Sequence, residues 1–212
     1  ITHTLDLLIE SSLKICGEVS LRIHQYLMAK DIPLDSIQKI YSHQQSLAQC
    51  RNWLVSHLPG IERIPVNSNA EAARLASLES GAAAIASSSA AQIYQLNLIA
   101  EKIEDNPDNT TRFIILGKRD VEPSGTHDKT SIMVSSANRS GALHDLLKPI
   151  AENGLSMTRI ESRPSKSGLW HYIFFIDIDG HISNPEVASA LENIRQQANT
   201  LKILGSYPKA VL

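Results

Sequence analysis

A polar, turn-rich run at residues 121–128, Val-Glu-Pro-Ser-Gly-Thr-His-Asp, divides this 212-residue sequence into two stretches of different periodicity. Proline and glycine without apolar repetition mark a connector. Ahead of it, short apolar runs alternate with helical patterns. Residues 14–28 read as one long extended segment and 36–41 as a short strand. Residues 46–58 carry Leu47, Cys50, Leu54 and Leu58 at helical spacing. A strand at 62–66, a capped helix at 69–78, a buried strand at 82–86, a short helix at 90–96 and a strand at 111–117 follow. Alternation of this kind predicts an α/β layer with some parallel pairing. Behind the connector the order is βαββαβ: strand 130–135, helix 141–153, a hairpin of 156–163 with 170–179, helix 185–198 and strand 201–207. That is the ferredoxin-like split order in a size suited to one small domain.

Composition narrows the function. Apolar residues make up 42% and charged residues 20%, which fits a packed core rather than a disordered chain. Twenty Lys and Arg against 22 Asp and Glu give a formal net charge of −2, which argues against bulk attraction to nucleic acid or an acidic membrane. No apolar run approaches the ~20 residues of a membrane span. The two cysteines, Cys16 and Cys50, have neither metal spacing nor a disulfide framework, pointing to a reducing, cytoplasmic setting. The eight histidines form no HxxxH or HExxH pair, and the G-x-S-x-G, P-loop and G-x-G-x-x-G motifs are missing. Metal hydrolase, serine hydrolase, nucleotide hydrolase and Rossmann dehydrogenase chemistry all lose support. The sequence opens on Ile1 and its first methionine is Met28, so it is expected to be part of a longer polypeptide extending on the amino side.

Four segments carry groups able to hold a small anion. Tyr41-Ser42-His43-Gln44-Gln45 stands where a strand gives way to a helix, a ligand-facing position in α/β sheets, although Ser42 serves equally as a simple cap. Gln49 lies one turn beyond Gln45 on the same face. Thr111-Arg112-Phe113 offers a hydroxyl for a leaving oxygen, a guanidinium for a carboxylate and an apolar wall, or ordinary strand packing with an exposed arginine. Asn138-Arg139-Ser140-Gly141-Ala142-Leu143 opens a helix with a glycine that lets backbone approach a ligand, or merely makes a tight turn. In 157–164, strand alternation sends Thr158, Ile160 and Ser162 to one face. Arg159, Glu161 and Arg163 go to the other, readable as a charged outer face on an edge strand closed by Pro164.

Taken in order, Thr4-Leu5-Asp6-Leu7-Leu8, Gly17-Glu18-Val19, Tyr41-Ser42-His43 running to Gln49-Cys50, residues 82–87 with Ala90-Ala91, Thr111-Arg112-Phe113, Gly141-Ala142-Leu143 and Glu161-Ser162-Arg163-Pro164 resemble prephenate dehydratase followed by an ACT regulatory domain. The resemblance spans essentially the whole sequence. It implies an α/β plus α+β architecture, a two-lobed dehydratase domain of the periplasmic-binding type at 1–120, a connector at 121–128 and a ferredoxin-like ACT domain at 129–212. It also implies decarboxylation and dehydration of prephenate to phenylpyruvate without cofactor or metal. Ser42, Gln49 and Thr111 map onto catalytic positions, and His43, Arg112 and Phe113 onto substrate contacts. L-Phenylalanine is the implied effector, at Asn138, Gly141, Ala142, Leu143, Glu161, Ser162 and Arg163, with assembly into a homodimer or homotetramer through ACT domains. The family's Asn-Ser/Thr-x-x-Gly stretch and most of its first lobe do not occur here, so this chain alone is expected to turn over little or no substrate; some members carry a chorismate mutase domain upstream. Gln44 stands where the family often has proline, and Ser68-Asn69-Ala70 where Ser-Thr-Ala is common. The rival readings are a non-catalytic amino-acid sensor and a solute-binding module.

Overall fold

The computed structural model describes residues 2–136, 139–164 and 172–210, with the side chains of residues 2 and 3 left aside. In chain order its elements are α1 (Thr2–Glu10), β1 (Lys14–Arg22), β2 (Tyr26–Ala29), a 3₁₀ turn (Leu34–Ser36), β3 (Lys39–His43), α2 (Gln44–Gln49), α3 (Arg51–His57), β4 (Glu62–Val66), α4 (Asn69–Leu78), β5 (Ala82–Ala86), α5 (Ser88–Tyr94), β6 (Asn97–Ala100) and β7 (Thr110–Gly117). Beyond the connector come β8 (Asp128–Ser135), α6 (Ala142–Glu152), β9 (Met157–Pro164), β10 (Tyr172–Asp179), α7 (Pro185–Gln197) and β11 (Thr200–Pro208). Two compact units result, one from residues 21–111 and one from residues 1–20 with 112–212. β1 and β7 pair as a two-stranded ribbon in which the chain passes from unit to unit. No helix among the described residues is long and apolar enough to cross a membrane.

The 21–111 unit is a five-stranded sheet in the order β4-β3-β5-β2-β6. β3 runs parallel to β4 and β5, while β2 pairs antiparallel with β5 and β6. Alternation along each strand divides the core in two. Met28, Tyr41, Ala84 and Ala86 face α4 and α5, whereas Leu27, Ile40, Ala83 and Ile85 face Cys50, Leu54 and Leu58. β5 is buried along its whole length, as a strand covered on both faces must be. Its alanines let α4, itself buried through Ala72, Ala73 and Ala76, lie close on the sheet.

Two expected elements are each broken in two. The extended segment at 14–28 ends at Arg22 and restarts at Tyr26, because the buried Glu104 carboxylate intervenes. It accepts the Gln25 N–H at 2.8 Å and bonds His24 Nδ1 at 2.6 Å. The helix expected over 46–58 breaks at Cys50, where Asp105 accepts the N–H groups of Asn52 and Trp53 and so caps a new start. Burial with nearby Asp105 and Glu104 pushes the Cys50 thiol up to about 12, so it stays protonated. α1 and β6 had no forecast.

The second unit holds a four-stranded antiparallel sheet ordered β11-β8-β10-β9, the arrangement expected of βαββαβ. One face packs Ile132, Val134, Phe174 and Ile176 under Leu146, Ile150, Leu191 and Ile194 of α6 and α7. The opposite face is covered too: Met133, Phe175, Leu204 and Tyr207 meet Leu5, Leu8 and Ile15 from α1 and β1. That cover overturns the charged outer face expected for β9. Arg159, Glu161 and Arg163 are half-buried, and Arg163 pairs with Asp6 of α1 at 3.3 Å.

The same unit carries a largely buried ionic cluster. Arg112 pairs with Glu18 at 2.5 Å and Asp177 at 2.6 Å and donates to the Tyr207 hydroxyl at 2.6 Å. Lys129 joins Glu18 at 3.0 Å. Burial alone would raise the Glu18 pKa, but the Lys129 hydrogen bond, the Ala210 N–H and the Arg112 charge outweigh it and hold the carboxyl below its usual value. Its stabilising contribution is therefore complete above the ordinary carboxylate range and disappears as pH falls through the depressed value. Glu18→Gln should lower stability at neutral pH by about 3 kcal/mol and flatten the acid limb, read by urea melts across pH. A Cβ on Gly205 would collide with the Ile15 carbonyl oxygen where β11 passes β1. Gly205→Ala should cost about 2 kcal/mol or more in the same assay, since backbone cannot yield as a side chain can.

Candidate active site

The 21–111 unit carries a polar pocket of about 380 Å³, lined among others by Gln25, His43, Gln49, Asn69, Asn109 and Thr111. It opens beside the turn that joins β3 to α2, where several side chains are committed to holding backbone. His43 caps α2 by accepting the Gln45 N–H on Nδ1 at 3.2 Å. Asn69, the first residue of α4, clasps the same turn: its Oδ1 accepts the His43 N–H at 3.1 Å and its Nδ2 donates to Ser46 Oγ at 3.0 Å. Ser68 caps α4 through the Glu71 N–H.

Three of the six proposed catalytic and substrate residues, His43, Gln49 and Thr111, come together on this pocket. Ser42 is fully buried beneath it, with its hydroxyl 2.7 Å from the Ile85 carbonyl and 3.1 Å from Asn69 Oδ1. Ser42 is thereby a support for Asn69 and the turn, not a group presented to a ligand. Arg112, read as a carboxylate clamp, belongs to the other unit and has its guanidinium taken by Glu18, Asp177 and Tyr207. Carboxylate partners that near leave it serving the sheet. Phe113, in that same unit, is half exposed on β7.

Sequence reasoning missed Asn69 and Gln25. Asn69 stood in plain view as the departure from Ser-Thr-Ala. Gln25 had a signal as well, a long amide just ahead of the apolar residues Tyr26 to Met28. Gln25 Nε2 donates to Gln49 Oε1 at 3.2 Å, and its main chain is held from both sides, by Glu104 and by the Ile103 N–H at 2.9 Å. This arrangement offers amides and hydroxyls at neutral sites, suited to binding and orienting a polar anion.

Of the expected effector residues, Asn138 lies outside the described residues. Gly141 adopts φ +79° as the cap of α6, a left-handed conformation that favours glycine, with open space where a Cβ would stand. Ala142 and Leu143 form the first turn of α6, and Glu161, Ser162 and Arg163 lie on the edge strand β9. Glu161 is engaged by Arg159 at 2.6 Å.

Comparison with known proteins agrees with this layout. The family model for prephenate dehydratase matches residues 1–121, and that for the ACT domain matches residues 130–196. The bifunctional chorismate mutase/prephenate dehydratase of Pseudomonas aeruginosa is 55% identical over 213 residues, covering 100% of this chain and 58% of that protein. The crystal structure of prephenate dehydratase from Arthrobacter aurescens in complex with L-Phe superposes with a TM-score of 0.86 at 38% identity, over 99% of this chain and 71% of that one. A structure described as GqqA, a novel type of quorum quenching acylases, superposes with a TM-score of 0.84 at 30% identity, over 96% of this chain and 75% of that one. The chain thus spans little more than half the length of the curated relatives it matches. It belongs to the prephenate dehydratase family and carries an ACT domain behind its dehydratase portion.

Proposed function

We propose that the protein containing this chain converts prephenate to phenylpyruvate and is feedback-regulated by L-phenylalanine through its ACT domain. The observation that carries this reading is the meeting of Gln49, His43 and Thr111 on one polar pocket, in a chain whose family is prephenate dehydratase. The reaction breaks the bond to the ring carboxylate, releasing carbon dioxide. That electron pair enters the ring, the ring-to-hydroxyl bond breaks, and the oxygen leaves as water after gaining one proton. Aromatisation supplies the driving force, so no electron sink is required. What the protein must do is hold the ring with both departing groups aligned and stabilise the oxygen as charge develops on it.

Thr111 fits the second task. A threonine hydroxyl is a poor acid at rest, so its role is to donate a hydrogen bond to the departing oxygen. Gln49 and His43 orient the dianion, while Ser42 and Asn69 keep the β3–α2 turn in shape. An acylase activity like that named for GqqA finds less support. The Ser42 hydroxyl is spent on Ile85, which leaves it poorly placed as a nucleophile.

The domain reading places the dehydratase portion at 1–120, the connector at 121–128 and the ACT domain at 129–212. Its support is the family-model edges at 121 and 130. Residues 1–20 and 112–120 nevertheless pack with the ACT sheet in one compact unit. The effector would sit at Gly141 to Leu143 with Glu161 to Arg163 nearby, the assembly would be a homodimer or homotetramer through ACT domains, and the compartment the cytoplasm.

In the full-length enzyme, Thr111→Val should lower kcat on prephenate by ~10²–10⁴-fold, the usual reach of proton or hydrogen-bond assistance; a kcat near that of the parent would remove Thr111 from the chemistry. Calorimetric titration of L-phenylalanine into this chain should give saturable heat and a raised melting temperature, and a flat titration would reject the effector reading.

A further inference from the structure

Gln25 is 3% exposed, yet it lines the pocket with Gln49 and Thr111. Its backbone is fixed by Glu104 and Ile103, and its Nε2 is spent on Gln49 Oε1 at 3.2 Å. The remaining group, Gln25 Oε1, is buried and has no hydrogen-bond partner among the described residues. A buried acceptor without a donor is costly, by about 1–3 kcal/mol, and such a group on the wall of a binding pocket calls for a ligand that brings the donor.

We infer that Gln25 reads the hydroxyl of the substrate: its Oε1 accepts a hydrogen bond from the ring hydroxyl of bound prephenate. This rests on the function proposed above. Prephenate carries two carboxylates and a ketone, all acceptors, and the ring hydroxyl is its single hydrogen-bond donor. The orphan acceptor is matched to that one group. With its proton committed to Gln25, the hydroxyl turns its lone pairs toward a donor such as Thr111. Phenylpyruvate in its keto form has no hydroxyl, so product leaves Gln25 Oε1 unpartnered again. A site built to bond a hydroxyl discriminates strongly against a compound lacking it. Gln25 thereby favours substrate over product in one pocket, which limits product inhibition.

The test is steady-state kinetics on the full-length enzyme and its Gln25→Met variant, which keeps length and volume while removing both polar groups. KM for prephenate should rise ~10–100-fold, whereas the competitive Ki of phenylpyruvate should stay within about twofold. A loss of general pocket shape would weaken both together, so parallel shifts in KM and Ki overturn the inference while leaving the dehydratase function standing. An unchanged KM does the same. If Gln25→Met does not fold, as judged by its melting temperature, Gln25→Asn carries the same comparison, with a smaller rise in KM and the same constant Ki expected. Parent enzyme inert on prephenate would remove this inference together with the function on which it rests.

Discussion

Three consecutive residues, Ile103, Glu104 and Asp105, hold the pocket-bearing unit in its working shape. Ile103 donates its N–H to the Gln25 carbonyl, Glu104 takes the Gln25 N–H and the His24 ring, and Asp105 donates its N–H to the Gln49 carbonyl at 2.7 Å. The Asp105 carboxylate then caps α3 through Asn52 and Trp53. One tripeptide thus fixes the backbone at both members of the Gln25–Gln49 pair, separated by 24 positions in sequence. Burial alone would raise the Glu104 pKa, but its bonds to His24 and to the Gln25 N–H prevail and keep it a carboxylate. A buried anion with committed donors is expensive to displace, which is why it can interrupt a strand and dictate where the next begins.

The ACT-bearing unit uses the same device in a different place. Its sheet would be a simple two-layer structure if its second face met water. Instead α1 and β1 cover that face, and the charges beneath them are satisfied by one another: Glu18 with Arg112 and Lys129, Asp177 with Arg112 and with Ser131 at 2.5 Å. Burial and the neighbouring Asp177 push the Tyr207 phenol well above its ordinary value, so it remains a neutral donor and acceptor within the cluster. Arg112 ties the cluster together, because its planar guanidinium presents separate N–H groups in a fixed geometry to two carboxylates and a hydroxyl.

Elements held by local sequence were legible and elements set by distant partners were not. The bounds of the 62–66 strand, the 69–78 helix and the 82–86 strand follow from proline, cap and apolar run, all within a few residues. The breaks at His24 and just ahead of Asn52 were invisible because their cause lies in Glu104 and Asp105, 80 and 53 residues away. Arg112 misled for a related reason. Next to Thr111 it looks like part of one ligand-binding triplet, but successive strand residues point to opposite faces, and its partners Asp177 and Tyr207 lie 65 and 95 positions on. Ser42 and His43 are separated in the same way: one is sealed under the turn and the other lines the pocket. Adjacency in sequence was a guide to the site, not to which side of the strand each residue serves.

That alternation gives the Thr111–Arg112 peptide its significance. The chain passes between its two compact units at Ser20–Leu21 and at Thr111–Arg112, and the strands containing both passages are paired with each other. Thr111 faces the pocket, while Arg112 is anchored by Asp177 of β10 and the Tyr207 hydroxyl of β11. An effector acting through the ACT sheet must differ in affinity between two arrangements of the protein to have any influence. The residue tied to that sheet and the residue on the pocket wall are covalent neighbours.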